Sequence, residues 1–320
     1  VNGVLETTWE VVRHSRRVRT DTEALSAFAR RLATELPPGA AWDETYHLPA
    51  THAQILLYIL VLDSLNFCFW APRGSRRWEL SRGPRKISGY VGLAYALKQA
   101  FLGGAPITDT RYLSEVSLKT LKGVLGGTGA LPLMEERADI LRTLGRVLLD
   151  DYGGEPWRLA ERAAGSATRW VALLAHAFPS FRDTATYRGK RVFFYKRAQI
   201  FAADLYAAFG GKGPGDLSEL DALTCFADYK LPQVLRHLGV LEYGDDLSEK
   251  VDRGVLLAPG CPEEVEIRAH TVWAVERIRR ELDRPGRHVR SFEIDWMLWN
   301  MGQLDTYRKR PYHRTLTTYY

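Results

Sequence analysis

The stretch Tyr195-Lys196-Arg197-Ala198-Gln199-Ile200-Phe201-Ala202-Ala203-Asp204-Leu205-Tyr206-Ala207-Ala208-Phe209-Gly210-Gly211 decides the fold, together with its continuation to Cys225-Phe226-Ala227-Asp228-Tyr229-Lys230. Ile200, Ala203, Tyr206 and Ala207 share one stripe of a helix over 195–209. Gly210, Gly211, Gly213, Pro214 and Gly215 end that helix in a tight turn, because glycine accepts the left-handed backbone that closes a helix and proline cannot continue one. Asp216 or Ser218 then caps a helix expected over 217–225. A further pattern at Leu231, Val234, Leu235 and Leu238, with Pro232 in its first turn and Gly239 past its end, predicts a helix over 231–239. Asp228 therefore stands just before a helix N-terminus, where unpaired backbone N–H groups and the positive end of the dipole favour a negative charge.

Outward from this stretch the chain is also helical. Thr20-x-x-Glu23 opens a capping box, and Leu25, Phe28, Ala29, Leu32 and Leu36 follow at helical spacing until Pro37-Pro38-Gly39. Further helices are expected over 51–65, 90–102, 112–125, 133–151, 157–177, 263–283 and 290–301. Strand signals are confined to two places: Trp78-Glu79-Leu80 with Arg85-Lys86-Ile87 around Gly83-Pro84, and Tyr187 to Phe193 around Gly189. The expected fold is mainly α, a helical bundle with one or two small β-hairpins. Its 320 residues show no linker, repeat or low-complexity tract, so they are read as one compact body whose two tightly packed lobes cover roughly 1–180 and 181–320.

Composition narrows the chemistry. With 9 Trp, 15 Tyr and 12 Phe the chain can fill a core and still wall a pocket for a flat base. A net charge of +6 suits an anionic ligand, and two basic clusters stand out, Arg13, Arg16, Arg17 and Arg19 near one end and Arg308, Lys309, Arg310 and Arg314 near the other. Cys68, Cys225 and Cys261 are odd in number and far apart, so neither disulfides nor a structural zinc is expected. The longest apolar run, Ile55 to Leu62, is too short to cross a bilayer, and the N-terminal residues carry no signal-type segment, which predicts a cytoplasmic protein. Phosphate-loop, dinucleotide-fold, zinc-protease and serine-hydrolase motifs are all missing, so the chemistry is expected to run without metal or cofactor.

The order helix, glycine hairpin, helix and then Asp228 at the head of another helix is similar to that of helix-hairpin-helix base-excision glycosylases. Other segments carry a wider resemblance: Asn66-Phe67-Cys68-Phe69-Trp70, Ser88-Gly89-Tyr90, Pro179-Ser180-Phe181-Arg182-Asp183, Gly189-Lys190-Arg191-Val192, Phe226-Ala227-Asp228-Tyr229 with Leu231-Pro232-Gln233-Val234-Leu235, Glu264-Val265-Glu266-Ile267-Arg268, and the terminal His313-Arg314 and Tyr319-Tyr320. With Phe194 to Gln199, these resemble the queuosine salvage family across nearly the whole chain. The resemblance implies an N-glycosylase that cleaves queuosine 5′-phosphate and releases the 7-deazaguanine base queuine for reuse in transfer RNA. It also implies a small-molecule nucleotide as partner, with no membrane and no stable nucleic-acid complex.

Cleavage of a ribosyl C1′–N bond builds positive charge on the sugar, so the first need is a carboxylate beneath C1′, and Asp228 is the choice. It can act as nucleophile, as electrostatic stabiliser or by orienting water. A 7-deazapurine has no N7 to protonate, so the leaving base must be held through its other edges. Asp295, within Ile294-Asp295-Trp296-Met297-Leu298-Trp299, suits the N–H donors of a guanine-like edge, while queuine's cationic amine and cyclopentene diol also favour acidic or hydroxyl partners. Phe226, Tyr229, Trp296 and Trp299 can stack on the base, and His47 can bond the base or the ribose. Asp63 and Asn66 end the apolar run beside Phe67 and Phe69. For the phosphate, Lys196 and Arg197 point about 100° apart on one helix, so only one can aim at a pocket; Tyr195, Lys230, His313 and Arg314 compete with them. Two other readings use the same features: a helix-hairpin-helix DNA glycosylase, which lacks a hairpin lysine nucleophile and iron–sulfur cysteines here, and a non-catalytic tRNA-binding module, whose mark would be salt-dependent RNA binding without base release.

Overall fold

The computed structural model describes residues 3–35, 42–49, 51, 54–283 and 286–320. It is mainly helical, in the order α1 (Val4–His14), β1 (Val18–Thr20), α2 (Thr22–Glu35), α3 (Ile55–Ser64), β2 (Leu80–Arg82), β3 (Arg85–Ile87), α4 (Gly89–Leu102), α5 (Thr110–Glu115), α6 (Leu118–Leu125), α7 (Met134–Tyr152), α8 (Trp157–Ala163), α9 (Ala167–Ala177), β4 (Thr184–Tyr187), β5 (Lys190–Phe193), α10 (Lys196–Ala208), α11 (Lys230–His237), β6 (Leu241–Tyr243), α12 (Asp245–Asp252), α13 (Pro262–Leu282) and α14 (Ser291–Met301).

Two large apolar cores organise these elements. The first is built on α3, which is buried on every side as its unbroken apolar run requires, and takes in Leu97 of α4, Leu144 of α7, Trp170 of α9 and Phe201 of α10. The second is built on α13 and takes in Val11 of α1, Phe28 of α2, Leu235 of α11 and Leu298 of α14. Helices α1 and α2 thus pack against the distant α13, so residues on both sides of position 180 contribute to the second core. Antiparallel pairing of β1 with β6, Val18 opposite Tyr243 and Thr20 opposite Leu241, ties that N-terminal segment to the distant part of the chain.

Both expected hairpins form, closed by Gly83-Pro84 between β2 and β3 and by Arg188-Gly189 between β4 and β5. Other expectations need correction. Asp21, whose side chain accepts from the Ala24 amide at 2.8 Å, caps α2, and Thr20 belongs to β1. The Pro37-Pro38-Gly39 stop and residues 52–53 of the helix expected over 51–65 lie outside the described residues. The run 112–125 divides where Ser117 caps α6, and 157–177 divides at Ala164-Gly165 before Ser166 caps α9. No α-helix occupies 217–225. Ser218 donates its amide to Gly165 and accepts from the Ala167 amide, so pairing with a distant loop replaces the helix, and only a short 3₁₀ turn at Leu220–Ala222 remains. Helices α1 and α12 had no strong signal in the pattern.

Candidate active site

A cavity of about 450 Å³ opens where residues of both cores meet. One stripe of α10, namely Lys196, Ile200, Asp204 and Ala207, forms a wall, since positions four, eight and eleven apart fall on one helix face. The opposite boundary carries Phe226, Asp228 and Tyr229 from the segment before α11, and Asp295, Trp296 and Trp299 from α14.

The extended segment Thr224 to Asp228 hangs from three helices. Gln199 of α10 accepts from the Thr224 amide at 2.8 Å, Asp295 of α14 accepts from the Phe226 amide at 2.6 Å, and Arg268 of α13 donates Nε–H to the Ala227 carbonyl at 2.9 Å. Arg268 is itself fixed by a buried two-point pairing with Asp183, at 3.0 and 2.6 Å. Asp228 ends the segment and caps α11, its Oδ1 accepting from the amides of Lys230 at 2.7 Å and Leu231 at 3.0 Å. Its Oδ2 has no protein hydrogen bond among the described residues. One oxygen is locked; the other remains open to the cavity that the residue lines.

Asp295 is buried beside it. Burial first, and then the Asp228 charge, push the Asp295 carboxyl well above the usual carboxylate range, which favours the protonated form that can donate as well as accept. That changes the expectation of a purely accepting group. Phe226, Tyr229, Trp296 and Trp299 all line the cavity, with Trp299 edge-on to Tyr90 at 6.1 Å. His47 lies on the wall against Trp42, ring centroids 4.1 Å apart, but both its nitrogens are engaged: Nδ1 with the Asp43 carbonyl at 2.8 Å and Nε2 with the Tyr90 hydroxyl at 2.9 Å. It therefore meets a ligand through its ring and not through a free N–H.

The cations sort clearly. Lys196 lines the cavity with Asn66, whose carbonyl accepts from its Nζ at 3.2 Å; burial lowers the Lys196 ammonium and the Asp228 charge opposes that effect. Arg197 points the other way, as the 100° offset requires. Its guanidinium donates to the carbonyls of Asp63 at 3.0 Å, Ser64 and Ser180, and so caps the C-terminus of α3 together with Arg137, which holds the Leu65, Phe67 and Cys68 carbonyls. Asp63 is fully buried behind the wall and does not line the cavity. His313 is buried beside Tyr320 and held neutral, its imidazole lowered to about 3 by burial and by Arg268; Arg314 lies near Trp70. Arg197, His313 and Arg314 do not line the cavity, and Tyr195 stands at the N-terminus of α10 outside it.

Arg197→Met is expected to destabilise the fold by roughly 3 kcal/mol or more, because the α3 carbonyls lose a buried charged donor. Denaturant unfolding checks this; an unchanged midpoint with a raised KM would restore Arg197 to the ligand.

Two further cations line the cavity wall. Lys230, left unranked by sequence, donates to Gln233 at 2.9 Å, and burial lowers its ammonium to about 8. Arg77, absent from the sequence-derived set, donates Nε–H to the Phe69 carbonyl at 3.3 Å. Neither has a carboxylate within ion-pair distance among the described residues. The signal for Arg77 was indirect, in Ser88-Gly89-Tyr90: a side chain at Gly89, where φ is +65°, would meet the Arg77 guanidinium at 2.9 Å.

An open carboxylate facing aromatic walls, with unpaired cations on the same cavity, suits the breaking of a bond between a flat base and a sugar phosphate, and this places the site in the class of nucleotide N-glycosidases. The sequence matches the family model for the queuosine salvage protein over residues 46–320. It is 43% identical over 318 residues to a queuosine 5′-phosphate N-glycosylase/hydrolase of Sphaerobacter thermophilus, covering 99% of this chain and 98% of that one. Similar proteins of the same description occur in Mus musculus, 37% identical over 97% of this chain and 96% of the relative, and in Dictyostelium discoideum, 39% identical over 82% and 77%. The chain belongs to the queuosine salvage protein family.

Proposed function

We infer that the protein hydrolyses the N-glycosidic bond of queuosine 5′-phosphate, giving queuine and ribose 5-phosphate. The observation that carries the mechanism is Asp228, with Oδ1 immobilised by two backbone amides and Oδ2 open. In this reading the C1′–N9 bond breaks with its electron pair passing to the base, and Oδ2 stabilises the cation developing on the ribose. Asp295, which arrives protonated, donates to the base edge as negative charge grows there. Water then bonds to C1′ and gives its proton to Asp228, and exchange with solvent restores both carboxyls. The pairing of an open carboxylate with a neighbouring carboxyl whose proton affinity is raised supports a base role for Asp228 and an acid role for Asp295.

Phe226, Trp296 and Trp299 sandwich the base, while Arg77 and Lys230, with Lys196 on the adjoining wall, take the 5′-phosphate. Free queuine leaves for reuse in transfer RNA, and no lasting RNA complex is needed. No helix among the described residues is long and apolar enough to cross a membrane. The unpaired thiols of Cys68, Cys225 and Cys261 suit a reducing compartment, which supports a cytoplasmic site of action.

Purified protein incubated with queuosine 5′-phosphate is expected to yield queuine and ribose 5-phosphate in equal amounts by mass spectrometry, the rate falling on the alkaline side as Asp295 loses its proton. Absence of base release would reject the reading.

A further inference from the structure

Asp204 has no role in the bond-breaking step, yet it lies on the cavity wall, 7% exposed, with no cation within ion-pair distance among the described residues. Its Oδ2 shares a hydrogen bond of 3.1 Å with the Tyr90 hydroxyl, and Tyr90 in turn meets His47 Nε2 at 2.9 Å. Its Oδ1 has no protein hydrogen bond among the described residues. A carboxyl this enclosed needs a positive partner if it is to be charged. The groups that bear on it are Asp63 and Tyr58 from α3, Tyr90 from α4, Lys196 and Asp295, and of these only Lys196 is a cation. Lys196 lies eight residues away on the same helix, about 12 Å along its axis, and is engaged with Asn66.

The hydrogen-bond chain fixes how Asp204 can change charge. His47 Nδ1 faces a carbonyl, so it must carry a proton, and neutral His47 can only accept at Nε2. Tyr90 has one hydroxyl proton for two neighbours. Every contact is satisfied in two arrangements with the same number of protons. In one, Asp204 is protonated and donates to Tyr90, which donates to neutral His47. In the other, Asp204 is ionised and accepts from Tyr90, which accepts from a His47 imidazolium. Without a ligand cation the first is favoured: burial raises Asp204 to about 7 and lowers His47. A cation beside Oδ1 favours the second, the proton passing from Asp204 to Tyr90 while the Tyr90 proton passes to His47.

We propose that Asp204 is the specificity-determining carboxylate that receives the cationic amine on the side chain of the substrate base, with Tyr90 and His47 holding the displaced proton. This rests on the reading of the substrate given above. Lys196 and Asp204 mark two positions along one wall, so the base is gripped with its reacting end toward Asp228 and its amine toward Asp204. Trp42, Tyr46 and Trp299 line the same cavity, and aromatic faces favour a cation.

The test compares queuosine 5′-phosphate with 7-methyl-7-deazaguanosine 5′-phosphate, which keeps the ring and phosphate but lacks the amine. The unaltered protein is expected to favour the amine-bearing substrate by roughly 10- to 100-fold in kcat/KM, the range of one charge-assisted hydrogen bond. In Asp204→Asn that ratio should collapse toward one, chiefly through KM. A ratio near one in the unaltered protein, or an undiminished ratio in the variant, overturns the proposal. If Asp204→Asn does not fold, Asp204→Ser removes the charge with a smaller side chain and is judged by the same ratio. Failure of the unaltered protein to cleave either substrate would instead reject the underlying reading of function.

Discussion

Asp228→Asn is expected to lower turnover by about a hundredfold or more while substrate affinity and thermal midpoint change little. The separation follows from the two oxygens. An asparagine Oδ1 still accepts from the Lys230 and Leu231 amides, so α11 keeps its cap and the Thr224 to Asp228 segment keeps its other anchors. At the Oδ2 position an amide replaces negative charge just where the ribose becomes positive, so the loss falls on the transition state. Single-turnover kinetics beside calorimetric binding would separate these effects. Near-normal turnover would remove Asp228 from the chemistry, and an unfolded variant would make its capping role dominant.

Arg77→Ala and Lys230→Met are each expected to lower kcat/KM for the 5′-phosphate by roughly 10- to 100-fold relative to the free nucleoside, since each removes one charged phosphate donor. Remote phosphate binding positions C1′ over the carboxylate, so part of the loss should appear in kcat. The lowered Lys230 ammonium adds a pH signature. A lysine is charged below its pKa, so KM for the phosphate should rise as pH passes about 8, with no matching change for the nucleoside. Equal losses on both substrates would show that these residues support the wall and do not bind phosphate.

Much of the helical framework was legible because it depends on local periodicity. α3, α10, α11, α13 and α14 each show an apolar pattern bounded by proline, glycine or polar residues. The 217–225 segment misled because its caps and apolar spacing are real, but Ser218 finds its partners at Gly165 and Ala167, a pairing invisible to any local window. That Asp228 and Asp295 line the cavity was readable from their positions at the head of one helix and within an aromatic run of another. Arg197 was not separable from Lys196 by charge, only by direction; which direction faced the cavity depended on the end of α3, more than 130 residues earlier. Arg77 and Asp204 escaped for the same reason. Each matters through what it lacks, an opposite charge nearby, and that is a property of the assembled surroundings.

The suspension of Thr224 to Asp228 from α10, α13 and α14 also bears on how the molecule comes apart. α10 belongs to one core and α13 to the other, while α14 gives Phe292 to the first and Leu298 to the second, so neither core alone can hold the carboxylate in place. A bound nucleotide would act as a rivet across that joint. Opening either side would expel it, so its binding free energy would resist the unravelling of both halves together and would couple two otherwise separable unfolding events into one.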